Sequence, residues 1–394
     1  MALLIFAGSF CLLAYIYAGY PAVMCLLSRA VGRPVRNNEA VPAVTIIIAA
    51  FNEERDIASK LENTLALDYP PDKIEIMVAS DCSTDATNAI VKRYACRGVR
   101  LIAQPRRLGK TAAQNRAAAL SKGEVLVFSD ATTHYKPDAI RKIVRSFADP
   151  EVGCISGRVA YIDSQSTAVG RGICSYWSYE SFLKTREALC GGLIGVCGCL
   201  YAVRRRNYRP LANDMCSDFV IASEMQLQGL RAVYEPEAIA AELTNERGRD
   251  EFRMRVRIAE QTISSLYRYH RIFNPWRHGV FAFQMLCHKV LRYTVPVLLV
   301  LLYSSNWFLI NSNPVFRSAV GVQSIFYLAA VGGWILERLG VRQGLFGLPY
   351  YLVLANAAIV AGFIKFATGQ SYVVWQPIRG EALTAEAGNS GRGS

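Results

Sequence analysis

What this sequence lacks narrows it first. Its 394 residues include only 4 histidines and no CxxC pair, so no Cys/His cluster stands at zinc-finger spacing. The eleven cysteines are an odd number and are scattered. Cys190, Cys197 and Cys199 lie close together, but their glycine neighbours read as close packing rather than a metal site. Free thiols at Cys82, Cys96, Cys154 and Cys216 suit a reducing compartment, which places the hydrophilic middle of the chain in the cytoplasm. Leu108-Gly109-Lys110-Thr111 imitates a phosphate-binding P-loop, yet position 104 is Gln where that motif needs glycine. Lys110, at a helix start, can still meet anionic groups. The formal net charge is +13, but no RNA- or DNA-binding motif accompanies it. The arginines gather beside apolar runs, so the excess charge points to a membrane surface. With 52% hydrophobic residues, the chain is neither disordered nor collagen-like.

What is present falls into blocks. Residues 2–27 carry no charge and are long enough to cross a hydrocarbon core of about 30 Å. A signal peptide fits poorly, since a charged leading region and a small-x-small cleavage site are both missing. Arg29, Arg33 and Arg36 follow the run, which puts them inside and the N-terminus outside. Three more apolar runs lie near 291–311, 319–336 and 346–364, with aromatic edges such as Trp307, Trp334 and Tyr350. Strict alternation sends the C-terminus outside, while Lys365 and Arg379 flank the last run and leave its topology open. The tail after Pro377 is rich in Gly, Ser and Ala and is expected to be disordered.

The middle has another rhythm. The apolar runs 44–50, 74–80, 98–104 and 124–129 each end in a polar cluster, with helical-period segments near 54–66, 85–95, 110–121 and 137–147 between them. Strand–helix alternation with fully apolar strands predicts a mostly parallel sheet covered by helices on both faces. In such sheets ligands bind beyond the carboxyl ends of the strands, where Asn52-Glu53-Glu54, Asp81 and Asp130 stand. Asp85 reads better as a helix cap.

Taken in order, AAFNEE (49–54), SDCSTD (80–85), FSDATT (128–133), CSDF (216–219) and RMRVRI (253–258) make the chain resemble the membrane-embedded family-2 glycosyltransferases, the group of cellulose, hyaluronan and chitin-oligosaccharide synthases. The resemblance spans about residues 42–275 and the flanking runs. It implies a GT-A type α/β domain and a UDP-sugar donor. Ala50, Asn52 and Glu53 then cradle the base, Asp81 accepts from the uracil imide N–H, and Lys110 contacts the nucleotide. Asp130 stands where the family has the first aspartate of its DxD motif, with Thr132 in place of the last. The resemblance therefore implies Mg²⁺ or Mn²⁺ on Asp130 and Thr132. Asp218 matches the catalytic base, and Asp214 is its lesser competitor. Arg255 and Arg257 match the arginines that face the leaving diphosphate, while Met254 and Ile258 replace the family's Gln and Trp. Gly195 and Arg204 belong to a segment similar to the family's acceptor loop. Trp177 and Tyr179 could stack on sugars but read more readily as core. Residues 245–249 are expected to form a loop near the site.

These readings give five regions: a membrane helix and linker (1–40), a cytoplasmic transferase domain (41–250), amphipathic interface helices (251–290), C-terminal membrane helices (291–368) and a tail (369–394). The expected activity is inverting transfer of a sugar from a UDP-sugar to a glycan or lipid-linked acceptor at the cytoplasmic face of a bacterial-type inner membrane, by a multi-pass protein with possible accessory subunits and no nucleic-acid partner. Processive synthesis is one form of it, and a single transfer to a lipid-linked acceptor, favoured by Met254 and Ile258, is another. An inactive membrane scaffold or sugar sensor is the reading from a different class.

Overall fold

A computed structural model describes residues 1–162, 168–244, 247–341 and 343–370. Asn245, Glu246 and the tail beyond 370, on which two of the expectations fall, lie outside the described residues. Helix α1 (Ala2–Ala30) leads into the domain. Strands and helices then alternate through β1 (Val44–Ala50), α2 (Ile57–Leu65), β2 (Ile74–Ser80), α3 (Thr87–Arg93), β3 (Val99–Ala103), α4 (Lys110–Leu120) and β4 (Val125–Asp130). The apolar runs fix this half. Every residue of β1 is buried, as its VTIIIAA sequence requires. Each buried Ile contributes about 1.5–3 kcal/mol.

The second half departs from plain alternation. After β5 (His134–Tyr135) and α5 (Ala139–Arg145) come β6 (Val152–Ile162), the long helix α6 (Ala168–Cys190), β7 (Leu200–Arg204), α7 (Ser217–Leu227) and β8 (Arg231–Leu243). The eight strands form one sheet in the order β3-β2-β1-β4-β7-β6-β8-β5. The β3-β2-β1-β4 block is parallel, and β7 joins it antiparallel. Register aligns Ala50 with Ser80 and Ala49 with Asp130, so the carboxyl ends of β1, β2 and β4 meet at one edge.

Helix α8 (Gly248–Arg268) then leads into α9 (Pro275–Phe308), α10 (Pro314–Arg338) and α11 (Gly347–Ala367). Among the described residues four helical stretches, beginning with α1, are long and apolar enough to cross a membrane. The expected start at 291 falls inside α9, which kinks at Gly279 (φ +47°) and then runs on through His288, Lys289 and Arg292 although these interrupt the apolar pattern. The boundary expected at 250/251 likewise falls inside α8. That helix does not stand alone as an interface element: it packs along α11, where a Cβ added at Gly362 would come within 2.6 Å of Ala259 Cβ and 3.0 Å of Glu260 N. A side chain there would force the two backbones apart.

Candidate functional site

A cavity of ≈ 1810 Å³ opens at the carboxyl edge of the sheet. The sheet and α4 supply its floor, and α6, α8, α9 and α11 supply its walls. Glu53, Lys110, Asp130, Thr132, Gly195, Asp218, Arg255 and Arg257 all line it. The motifs read along the chain thus converge in space for most of their residues, although these come from seven different elements and loops.

Lys110 opens α4 and forms an ion pair with Asp130, which ends β4. Burial works against the lysine's charge, but the carboxylates of Asp130 and Asp218 outweigh it and hold the pKa above that of an ordinary lysine. Lys110 therefore stays cationic. The start of α4 is tied to the segment before α7: Thr111 Oγ1 donates to Met215 O at 2.9 Å, Ser217 Oγ to Gln114 Oε1 at 2.9 Å, and Asn115 Nδ2 to Leu211 O at 2.7 Å. These bonds set Asp218, in the first turn of α7, at a fixed offset from Lys110.

Asp218 is held on two sides. The Cys216 thiol donates to its Oδ1 at 2.7 Å, and its backbone carbonyl accepts from Val196 N at 2.8 Å. Its Oδ2 lies over Gly198, where an added Cβ would come within 2.7 Å. A side chain between Cys197 and Cys199 would thus push directly against the carboxylate. The two flanking thiols lie 3.2 Å apart, buried and unlinked, and all eleven cysteines are free.

Several expected contacts are corrected. Asp81 is 0% exposed and does not face the cavity. Its Oδ1 accepts from Leu108 N at 2.8 Å and its Oδ2 from Gly109 N at 2.9 Å. The carboxylate folds the loop before α4 over itself, and that loop carries Arg107, stacked 3.6 Å from the centroid of Phe51. Of the three carboxyls expected around one pocket, only Asp130 and Asp218 share it. Ala50 is sealed in the core, being the last residue of a doubly covered strand. Asn52 turns away at φ +54° and accepts from Thr84 N at 2.8 Å, so it shapes the loop rather than the wall. Arg204 lies at the far end of β7, where its guanidinium donates to the carbonyls of Phe147, Asp149 and Val152. An antiparallel strand carries its carboxyl end away from the site, which sequence alone did not reveal. Asp85 accepts from Thr87 N at 2.9 Å just ahead of α3, whose N-cap position is Ala86. Asp214 pairs with Arg268 outside the cavity.

The two arginines of α8 differ. Arg255 bonds Glu251 at 2.6 Å and the hydroxyl of Tyr351, and so ties α8 to α11. Arg257 has no ion pair among the described residues and lies within electrostatic reach of Cys216, beside Asp218. Ile258 also lines the cavity. Trp177 and Tyr179 line it too, with Trp177 packed on Tyr161.

Sequence reading missed two ionisable groups. Glu242, on β8, lines the cavity, and its pKa is pushed up to about 8 by burial and by the negative charge of Asp130 and Cys197. Lys60, on α2, lies close behind, with its pKa lowered to about 7 by burial. Neither belongs to a motif, and it is the packing of α2 and β8 in the fold that brings them within electrostatic reach of Asp130. Among the described residues no cluster of three His, Cys, Asp or Glu side chains is arranged to hold a metal. The oxygen donors near the end of β4 are Asp130 and Thr132, with Glu242 close enough to feel Asp130. A hard cation that keeps several waters and phosphate oxygens fits so sparse an oxygen set.

Comparison with known proteins follows this geometry. Residues 45–210 match the model of the family described as Glycosyl transferase family 2. An N-acetylglucosaminyltransferase of Sinorhizobium fredii is 28% identical over 245 residues, covering 57% of this chain and 59% of that protein. A beta-monoglucosyldiacylglycerol synthase of a Synechocystis species is 28% identical over 156 residues, covering 39% of this chain and 33% of that one. The chain thus spans less than two thirds of the length of these relatives. The solved structure of mannosyltransferase PcManGT from Pyrobaculum calidifontis, in complex with GDP-Man and Mn²⁺, superimposes with a TM-score of 0.72 over 93% of this chain and 99% of its own, at 21% identity. That likeness extends the shared fold through the C-terminal helices.

Proposed function

Because the chain carries a family-2 glycosyltransferase domain at residues 45–210, we propose that the whole protein is an inverting transferase. It moves a sugar from a UDP-sugar to a lipid-linked or glycan acceptor at the cytoplasmic membrane face. The observation that carries this reading is the shared cavity of the Lys110–Asp130 pair and Asp218, set at a fixed offset by the bonds between α4 and the start of α7.

In this reading Asp218 is the general base. The acceptor hydroxyl attacks the anomeric carbon, its proton passes to Oδ2, and the bond from the anomeric carbon to the diphosphate breaks with its electron pair leaving on the phosphate. Such assistance is worth roughly 10²–10⁴-fold. Lys110 and Arg257 face the leaving diphosphate and stabilise its growing charge. Arg255 fixes α8 so that Arg257 keeps its place. Asp81 acts through the loop it holds, and Arg107 of that loop, stacked on Phe51 and lining the cavity, offers its guanidinium face to the base. Asp130 and Thr132 would hold Mg²⁺ or Mn²⁺, and that ion would neutralise diphosphate oxygens.

The cavity's continuation to α11 supports a single transfer to a membrane lipid over processive synthesis, since Leu348, Leu352 and Ile359 make that wall apolar. The relatives named above include both an N-acetylglucosaminyltransferase and a diacylglycerol glycosyltransferase. The test is a donor screen on purified protein, with UDP-glucose, UDP-N-acetylglucosamine and GDP-mannose, each with and without Mg²⁺ or Mn²⁺. Release of UDP with one sugar added per lipid is the expected result. Release of GDP alone overturns the donor assignment, and a ladder of product sizes overturns the single transfer.

A further inference from the structure

On the α6–α9 wall of the cavity the charges do not balance. Its carboxylates are Glu180 and Glu187, and both are engaged. Glu180 binds Arg292 and His288, and Glu187 binds His288 at 2.6 Å and the Tyr20 hydroxyl. Burial alone would raise the pKa of Glu180, but Arg292 and His288 hold that carboxylate well below the usual range. Lys184, on α6, and Lys289, on α9, are left over.

Lys184 is 8% exposed, and its Nζ lies 5.1 Å from the centroid of the Trp177 ring. Lys289 lies 5.2 Å from the Phe219 ring, one residue past Asp218. Neither ammonium has a hydrogen bond or ion pair among the described residues, and both line the cavity. Lys289 feels repulsion from Lys184 and Arg292 and attraction from Glu180 and Asp218, so the two lysines share one field beside the base. An aromatic face returns about 0.5–2 kcal/mol to a cation, less than the several kcal/mol that burying an ammonium such as that of Lys184 demands. Counter-charge is therefore expected to come with a ligand. That ligand also meets the apolar wall of α11, where Leu348, Leu352 and Ile359 line the same cavity.

Resting on the transferase reading above, we propose that Lys184 and Lys289 bind the phosphate of an anionic membrane lipid, whose head-group hydroxyl is thereby presented to Asp218 as the sugar acceptor. The apolar tail lies along α11 and leaves toward the bilayer. The bond formed joins the head-group oxygen to the anomeric carbon, the bond broken frees the nucleoside diphosphate, and the proton goes to Asp218. A neutral lipid such as diacylglycerol offers the hydroxyl without the charge, so the subsite selects against it.

The experiment titrates purified protein in neutral detergent with short-chain phosphatidylglycerol, short-chain diacylglycerol, inorganic phosphate and, separately, UDP, reading binding as a thermal shift. Phosphatidylglycerol is expected to bind saturably and more tightly than diacylglycerol or inorganic phosphate. The K184Q/K289Q double variant should weaken it at least about 30-fold, and K184R/K289R should keep it within a few fold. Should the double variant fail to fold, K289Q at the half-buried position reads the same shift. With the donor found by the screen, mass spectrometry should find phosphatidylglycerol heavier by one sugar. Unchanged affinity in the glutamine variants, or equal binding of diacylglycerol, overturns the subsite. Phosphate binding as tightly as the lipid assigns the site to a free anion and overturns the lipid. Tight lipid binding without added sugar overturns the acceptor role. UDP binding is scored apart: its absence with lipid binding intact sinks the donor reading, and its presence without lipid binding sinks only the subsite.

Discussion

Replacing Lys60 with methionine is a quantitative test of how the region behind Asp130 is built. Lys60 is fully buried on α2, its Nζ has no hydrogen-bond partner among the described residues, and it sits 3.7 Å from the centroid of the Tyr135 ring. Burial lowers its pKa to about 7, despite the support of Cys199, Asp130 and Glu242. In the unfolded chain a lysine titrates near ~10.4. Between those two values the unfolded chain binds a proton that the folded chain does not. Stability must therefore rise with pH across the window from about 7 to about 10, and the full penalty stands below it. One pKa unit is worth about 1.4 kcal/mol, so the penalty is about 4 kcal/mol at pH 7 and about 2 kcal/mol at pH 9. Methionine keeps the length of the side chain without the amine. K60M should then be more stable than the parent at neutral pH, with its advantage roughly halved at pH 9. Glu242 tilts the raw profile the other way. Its pKa is raised to about 8 by burial and by Asp130 and Cys197, so its contribution is present at lower pH and is lost as pH rises through 8. The difference between the two proteins removes most of that term. Thermal and denaturant unfolding in detergent at several pH values measures it. An advantage under about 1 kcal/mol at pH 7, or one that does not shrink as pH rises, refutes the reasoning.

Three further outcomes are expected. D218N should lower kcat by roughly 10²–10⁴-fold with nucleotide affinity within a few fold of the parent, as read by steady-state kinetics and UDP titration; unchanged turnover removes Asp218 as the base. G198A places a Cβ within 2.7 Å of Asp218 Oδ2, so kcat should fall at least about tenfold while the melting temperature moves by only a few degrees, and an alanine enzyme of parental rate would show that the carboxylate does not need that approach. D81A leaves Leu108 N and Gly109 N without acceptors, at about 1–3 kcal/mol each, so both stability and donor KM should suffer, whereas a changed KM with parental stability would restore a direct contact between Asp81 and the base.

The parallel half of the sheet was legible because its strands are uninterrupted apolar runs. VTIIIAA and IEIMVAS are strands at the very positions read from the sequence. The second half was not legible. β8 runs through EPEAIAAEL, where charged residues break the apolar signal, and β7 is five residues long. Missing them hid Glu242 and sent Arg204 to the wrong end of the sheet. Among the motif residues, those whose side chains end strands or open helices, Asp130, Lys110 and Asp218, landed on the cavity, because the strand ends and helix starts face one edge. Asp81 also ends a strand, yet the backbone amides of 108 and 109 claim its carboxylate, and no sequence rule ranks a loop amide against a ligand. Lys184 and Lys289 were invisible for a plainer reason. A lysine on a helix reads as solvated unless the opposing element is known, and here the opposing elements are far apart in the chain.

The contact at Gly362 has a consequence for how the protein must be handled. The helix that carries Arg257 is pressed backbone to backbone against α11, which is long and apolar enough to span a bilayer. A spanning helix takes its tilt from the thickness of the surrounding hydrocarbon. Thinner or thicker lipid would therefore lever α8, and Arg257 with it, relative to the sheet that holds Asp130. Turnover in nanodiscs of graded acyl-chain length should pass through an optimum, and shearing away the last helix would remove a wall of the cavity rather than a mere tether.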